Sequence, residues 1–173
     1  MATVTIRPAT LEDAATLTDL GARTFRETFE GICSPQDLSA YVAGAYGEAI
    51  QRAELADPAR PALVLEIDGV PSGFAQLRLD HREPCVTGKR PAELQRIYLL
   101  HSAQGGGCGA ALMEASVGLA RSGGADSLWL GVWENNIKAL AFYARCGFRE
   151  AGDHIFRIGQ QIDRDLILVK DLS

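Results

Sequence analysis

The stretch Gln104-Gly105-Gly106-Gly107-Cys108-Gly109-Ala110 lies between an apolar, strand-like segment at 94–100 and a helix-like segment at 110–121. A glycine-rich turn from strand to helix exposes backbone N–H groups beside a helix N-terminus, where anions such as phosphate bind. Such turns also close ordinary loops, so the turn alone leaves both interpretations open. Neither Lys-Ser nor Lys-Thr follows the glycines, and no acidic residue ends a strand about 20 residues later. These features argue against a P-loop and against a dinucleotide-binding fold.

The rest of the chain predicts helices first and then a mixed run of strands and helices. Periodicity and capping residues predict helices at 10–29, from Ser34-Pro35 onward, and at 48–55, 109–122 and 136–145. Strands are predicted at 3–6, where Pro8 stops the first, and at 62–67, 73–79, 93–100, 127–132, 148–158 and 161–170. Asp68-Gly69 predicts a hairpin turn. This order predicts an α/β domain with three layers around a mixed sheet.

Composition limits the classes of protein to which the chain can belong. Its 173 residues, 47% of them hydrophobic, predict one domain with a sizeable core. A net charge of −5 argues against a nucleic-acid or anionic-membrane partner. We expect a cytoplasmic protein, because no signal-peptide core and no apolar stretch near the ~20 residues of a membrane span are present. The scattered cysteines and histidines predict neither a disulfide framework nor a metal site.

A second pattern begins about 30 residues after the first, within the segment 133–148. The two patterns together resemble the GNAT superfamily of acyl-CoA N-acyltransferases. The first matches the pyrophosphate-binding pattern Gln/Arg-x-x-Gly-x-Gly/Ala at Gln104, Gly107 and Gly109. The second matches the pattern Asn-x-x-Ala-x-x-x-Tyr-x-x-x-Gly-Phe at Asn136, Ala139, Tyr143, Gly147 and Phe148. The resemblance covers residues 60–171 well and the N-terminal third only in its general pattern.

This resemblance implies a fold, a cosubstrate and a set of binding residues. The fold would be a mixed, mostly antiparallel sheet of six to seven strands flanked by helices. Residues 1–58 would form a helical acceptor-side region, and 61–171 the sheet and acetyl-CoA-binding core. The cosubstrate would be acetyl-CoA, without a metal, and a homodimer is compatible with the family. The residues implied in binding coenzyme A are Ile97, Tyr98, Leu99, Gln104, Gly105, Gly106, Gly107, Cys108, Gly109, Ala110, Asn136, Ala139 and Tyr143.

Two side chains are candidates for the acid–base chemistry of acyl transfer. The phenol of Tyr143 can protonate a departing thiolate, although a core tyrosine is the alternative from spacing alone. Glu93 stands eleven residues before Gln104, the offset of the general base in some GNAT enzymes. A carboxylate there could deprotonate or position an acceptor amine, directly or through water. An exposed strand-end charge is the alternative interpretation of Glu93.

The acceptor is inferred mainly from resemblance. Segments 129–136, 152–159 and 165–170 are similar to polyamine acetyltransferases of the PaiA type, which act on spermidine and spermine. The implied acceptor pocket would use the N-terminal helices, with Phe25, Phe29, Glu30 and Tyr41 as candidate residues. Aromatic and acidic groups suit an alkylammonium chain, although helix-on-sheet packing also explains most of these aromatics. A protein lysine or N-terminal acetyltransferase and a non-catalytic acyl-CoA sensor stay open as alternatives.

Overall fold

The computed structural model describes residues 2–79 and 81–173, apart from the side chain of Gln161. The helices are α1 (Ala14–Phe29), α2 (Pro35–Tyr46), α3 (Glu48–Ala56), α4 (Cys108–Ser122) and α5 (Ile137–Arg145). The strands are β1 (Val4–Pro8), β2 (Ala62–Ile67), β3 (Val70–Arg78), β4 (Pro91–Leu99), β5 (Ser127–Trp133), β6 (Arg149–Ile158) and β7 (Gln161–Asp171). Short 3₁₀ turns lie at Leu11–Asp13 and His101–Ala103.

The predicted fold class is confirmed. Seven strands form one sheet in the order β1-β2-β3-β4-β5-β7-β6, and helices cover both of its faces. Every neighbouring pair is antiparallel except β4 and β5, which run parallel. A parallel pair needs a crossover, and α4 provides it between these two strands.

Two predicted boundaries at the N-terminus differ from the structure. Pro8 does not stop β1, because it pairs with Leu63 as the last residue of the strand. β1 is an edge strand, so the missing N–H of proline costs no ladder hydrogen bond there. The first helix also starts later than Thr10. The Asp13 carboxylate accepts from the Thr10 N–H at 2.7 Å and holds a 3₁₀ turn ahead of Ala14.

The two faces of the sheet carry different layers. On what we call the back face, α4 and α5 pack on a large apolar core that includes Leu112, Leu128 and Tyr143. On the front face, α1 and α2 pack on a second core that includes Phe25 and Phe74. A smaller cluster around Trp129, on the same front face, lies beneath the loop at 81–90.

A gap opens in the middle of the sheet. In the described part of the chain, β4 pairs with β5 only from Pro91–Ser127 to Glu93–Trp129. The register between β3 and β4 then shifts, with Leu77 opposite Leu94 and Gln76 opposite Arg96. This bulge leaves Gln95 without an opposite residue and turns β4 away from β5. From there to its end, β4 pairs with β3 alone, and its other edge faces the gap.

Candidate active site

The edge of β4 that faces the gap presents backbone donors. The Leu100 N–H donates to the Ser72 carbonyl at 3.0 Å, and Tyr98 lies opposite Phe74 in the same antiparallel ladder. Because successive N–H groups of a strand point to opposite edges, those of Ile97 and Leu99 point into the gap. An extended molecule carrying amides could therefore add to this edge as another strand would.

The glycine turn lies beyond the C-terminal end of β4, at the start of α4. Gly105, Gly106 and Gly107 have φ angles of 90°, 56° and 86°, the left-handed region that favours glycine. The positive φ angles, not a lack of space, favour glycine at these three positions. A Cβ on any of them would meet nothing within 4 Å, so the turn is open to a ligand. The first-turn N–H groups of α4, including Gly109 and Ala110, lack helical partners. The turn thus has the donors and the space that a phosphate needs.

Gln104 connects the turn to a lysine that the sequence analysis missed. Its Nε2 donates to the Leu99 carbonyl at 3.4 Å, and its Oε1 accepts from Lys138 Nζ at 2.6 Å. Lys138 lies in the first turn of α5, and both side chains are exposed. Sequence spacing could not find this lysine, because only the packing of α5 beside α4 brings it to the turn. It adds a cation where an anion would bind.

Helix α5 has the predicted capping at both ends and a buried tyrosine near its C-terminus. Asn136 is the N-cap and accepts from the Ala139 N–H at 3.2 Å. Gly147, with φ 87°, follows the helix in the left-handed region. Tyr143 is 9% exposed and packs against Phe148 with ring centroids 5.9 Å apart. Burial raises the pKa of Tyr143 well above its usual value, so the phenol is protonated at neutral pH.

Close packing brings these three elements together. A Cβ on Gly109 would lie 3.5 Å from the Phe142 ring and 3.7 Å from Leu99, an ordinary contact distance. The start of α4 therefore sits where α5 and the end of β4 meet. The glycine turn, the open edge of β4 and the helix carrying Tyr143 therefore border one region.

The front face carries a cluster of ionisable side chains around Glu93. The Glu93 carboxylate lies 3.2 Å from Arg78 Nη1 and 3.0 Å from His81 Nδ1. Burial raises the pKa of Glu93, and the positive charges of Arg78 and His81 oppose that rise. Glu93 occupies the last paired position of β4 with β5, at the closed end of the gap. It is not the exposed strand-end charge of the alternative interpretation, since only 13% of its side chain is exposed.

The cluster extends to two residues of the β6–β7 hairpin that the sequence analysis did not single out. His154 Nδ1 lies 3.1 Å from Glu83 Oε1, and its Nε2 lies 3.8 Å from Asp165 Oδ2. Burial raises the pKa of Asp165 to about 6, and His154 opposes that shift. Alternation along both strands could have placed these side chains on one face. Only the strand order, with β7 inserted between β5 and β6, brings them next to β5.

The candidate acceptor residues occupy different depths. Phe25 is 1% exposed and stacks on Tyr41 at 4.4 Å, so Phe25 is a core residue that supports Tyr41 from behind. Tyr41 is half-buried, with Phe156 of β6 at 5.8 Å. Phe29 is 7% exposed and lies 6.3 Å from Trp133. Glu30 is exposed at the end of α1. The α1 and α2 aromatics thus adjoin β5 and β6, the strands next to the ionisable cluster.

Within residues 2–79 and 81–173, no helix is long and apolar enough to cross a membrane. The same residues include no group of three or more His, Cys, Asp or Glu side chains arranged to hold a metal ion.

Comparison with known proteins agrees with the fold and the two motifs. Residues 24–148 match the model of the acetyltransferase (GNAT) family. An uncharacterized N-acetyltransferase of Mycobacterium tuberculosis is 34% identical over 163 residues, which is 94% of this chain and 99% of that protein. The crystal structure of the PaiA N-acetyltransferase of Thermoplasma acidophilum, in complex with coenzyme A, superimposes with a TM-score of 0.79 at 21% identity. That match covers 98% of this chain and 99% of the other.

A second solved structure with the same fold is named for a protein substrate. The ribosomal-protein-S18-alanine N-acetyltransferase of Escherichia coli superimposes with a TM-score of 0.72 at 20% identity, covering 99% of this chain and 95% of that one. The family match extends over most of the chain and includes the glycine turn, the open strand β4 and Tyr143. The chain therefore belongs to the acetyltransferase (GNAT) family, whose acetyl donor is acetyl-CoA.

Proposed function

We propose that this protein transfers the acetyl group of acetyl-CoA to a primary amine of a small cationic molecule, with a polyamine as the first choice. The observation that carries the choice of acceptor is the front-face cluster. Three carboxylates, of Glu83, Glu93 and Asp165, lie on the same face of the sheet as the α1 and α2 aromatics and outnumber the one arginine, Arg78, that pairs with them in the described part of the chain. Negative charge and aromatic surface together favour an alkylammonium chain.

The residues around the gap fit a coenzyme A thioester. Gly105–Gly107 and the first turn of α4 would hold its pyrophosphate, with Lys138 adding positive charge. The N–H groups of Ile97 and Leu99 would pair with the amides of its extended arm. One of them would also stabilise the negative charge that develops on the thioester oxygen. When bound, acetyl-CoA supplies an activated acetyl group. The chain's own residues orient it and exclude water from the back-face side.

We assign Tyr143 the role of proton donor to the departing sulfur. Burial keeps the phenol protonated, and a protonated group is what a departing thiolate needs. Tyr143 belongs to the back-face core, and its neighbour Phe142 lies 3.5 Å from the position of a Cβ on Gly109, which is itself 3.7 Å from Leu99. This packing supports a place for the phenol beside the gap.

Glu93 has a role in positioning the acceptor. It lies four residues before Ile97, about 13 Å along the strand at roughly 3.3 Å per residue. Arg78 and His81 also hold its carboxylate. At that distance Glu93 reaches the attacking nitrogen through water at most, so we assign it to the distal, charged part of the acceptor.

A panel of acceptors with acetyl-CoA, followed by release of free thiol, tests this proposal. The panel contains spermidine, spermine, simple monoamines and a peptide with a free N-terminal alanine. We expect saturable turnover with the polyamines, slower turnover with monoamines and none with the peptide. Turnover with the peptide alone would replace the proposal with the second candidate, a protein N-terminal acetyltransferase. The fold shared with the Escherichia coli alanine acetyltransferase is the observation that favours that candidate.

A further inference from the structure

Two carboxylates of the front face, those of Glu93 and Asp165, each have a buried oxygen without a hydrogen bond in the part of the chain that the structure describes. Glu93 lies beside Arg78, whereas the ion-pair partner of Asp165 is a histidine. Asp165 is 8% exposed, between Trp133 on β5 and His154 on β6 in the sheet. Its Oδ2 lies 3.8 Å from His154 Nε2, whereas its Oδ1 has no hydrogen-bond partner among the described residues. A buried carboxylate oxygen without a donor costs free energy unless a ligand supplies one.

A glycine gives access to this carboxylate. Gly131 of β5 is exposed, although its neighbours Leu130 and Val132 are buried. A Cβ on Gly131 would lie 3.5 Å from Asp165 Oδ2 and 3.4 Å from His154 Nε2. A larger side chain at 131 would therefore project beside the carboxylate. Gly131 leaves open the surface beside Oδ2, the oxygen next to His154, and a small molecule could reach the carboxylate from that side.

Asp165 also lies close to the gap in the sheet. Asp165 of β7 pairs with Trp133 at the end of β5, and the residues of β5 beyond Trp129 border the gap. Trp133 also lies 6.3 Å from Phe29, a candidate acceptor aromatic. The carboxylate is thus one strand away from the gap.

We propose that Asp165 is the residue that receives the acceptor amine, pairing with its ammonium group and taking its proton before attack. This inference rests on the proposed function and names the base for it. Its support is the burial of Asp165, the unpartnered oxygen of its carboxylate and the access over Gly131. Glu93, at the closed end of the gap, keeps its separate role with the distal part of the acceptor.

Asp165 and Tyr143 move the protons that acetyl transfer requires. One N–H proton of the ammonium moves to Asp165, and the neutral nitrogen attacks the thioester carbonyl carbon. A C–N bond forms and the C–S bond breaks. The sulfur takes a proton from Tyr143, and the second proton of the nitrogen replaces the one that Tyr143 gave. Asp165 then releases its proton to water, to which His154, with 32% of its side chain exposed, offers a route.

The charged surroundings of Asp165 decide its pH response. His154 of β6 favours its ionised form, whereas burial and Asp163 of β7 oppose ionisation and place its pKa at about 6. Other ionisable groups of this face include Glu83 and His81 of the loop, Arg78 of β3, Glu93, Arg96 and Tyr98 of β4, Tyr41 and Tyr46 of α2, and Glu54 of α3. At pH 7 and above Asp165 is therefore mostly ionised and ready to accept a proton.

Asp165→Asn tests the inference when two acceptors are compared. Spermidine is protonated at pH 7, whereas hydroxylamine is neutral and needs no base. We expect kcat/KM with spermidine at pH 7 to fall by about 10²-fold or more. Turnover with hydroxylamine should change little, and spermidine turnover should recover as the pH rises toward the pKa of the amine. An equal loss with both acceptors, or no loss with spermidine, would overturn the inference.

A second variant tests access without changing charge. Gly131→Val should raise the KM for spermidine at least tenfold and leave coenzyme A affinity, measured by calorimetry, unchanged. Ala151→Val, at an exposed position of β6, is the matched control.

Failure of the proposed function would appear separately, as a wild-type protein that acetylates no amine. Calorimetric binding of spermidine would then still test Asp165, because equal affinity in Asp165→Asn would contradict the pairing.

Discussion

At the scale of single residues, the protonation of two buried side chains decides what the site can do. Burial raises the pKa of both Tyr143 and Glu93. For a phenol this shift keeps the proton available as an acid. For a carboxylate it favours the neutral form, and Arg78 and His81 oppose that shift in part. The two groups are therefore suited to different tasks.

Tyr143→Phe should lower kcat by 10²–10⁴-fold, the usual contribution of general acid–base groups. The ring and its contact with Phe148 stay in place, so coenzyme A affinity and the melting temperature should change little. Single-turnover kinetics, in which chemistry limits the rate, is the appropriate measurement. A folded variant with the wild-type rate would leave Tyr143 as a packing residue.

Glu93→Gln should raise the KM for spermidine with little change in kcat, because it removes charge near the distal part of the acceptor. Glu66→Gln is the matched control, since Glu66 of β2 also pairs with an arginine, Arg7 of the edge strand β1. A fall in kcat that recovers at high pH would instead make Glu93 the base and contradict our assignment. Kinetics across pH separates the two outcomes.

At the scale of elements, the sequence predicted each helix and strand because each has its own local pattern. Gly147 ends α5 as expected, and Ser34 caps α2 through the Asp37 N–H at 3.1 Å. The gap between β4 and β5 has no local sequence pattern, because a bulge at Gln95 depends on the register between strands. Asp165, His154 and Lys138 were missed because strand order and helix packing, both non-local, bring them to the site.

The glycine turn gives a prediction for the start of α4. Gly107→Glu should weaken coenzyme A binding at least tenfold, because it places a carboxylate beside the expected pyrophosphate. Gly107→Gln is the matched control, since it has similar size and the same strain at φ 86° without the charge. Calorimetry on both folded variants isolates the effect of charge. Equal affinity for the two would place the pyrophosphate elsewhere.

At the scale of the whole molecule, the front-face cluster should make the fold less stable than its packing allows. Asp165 has a pKa of about 6 in the folded protein, against an ordinary value of 3.8. The folded state therefore binds this proton more tightly than the unfolded state does, and holding the ionised carboxylate costs stability as the pH rises through 6. Below about pH 4 the carboxyl is protonated in both states, and this cost disappears.

Asp165→Asn should consequently stabilise the protein while it removes activity. The gain should be on the order of 1 kcal/mol at pH 8, since solvent screens part of the effect. It should be about a third as large at pH 4.5, where the unfolded carboxyl is still mostly ionised. For a chain of this length the gain at pH 8 corresponds to a rise of about 2–4 °C in melting temperature. Thermal unfolding of both proteins at the two pH values measures it.

Asp171→Asn is the opposite control. Hydrogen bonds from Ser173 lower the pKa of the Asp171 carboxyl, so its removal should not stabilise the fold at pH 8. At each pH the melting temperature of Asp165→Asn is compared with that of the wild type. A smaller gain at pH 8 than at pH 4.5 would show that contacts in the fold favour the charged form of Asp165.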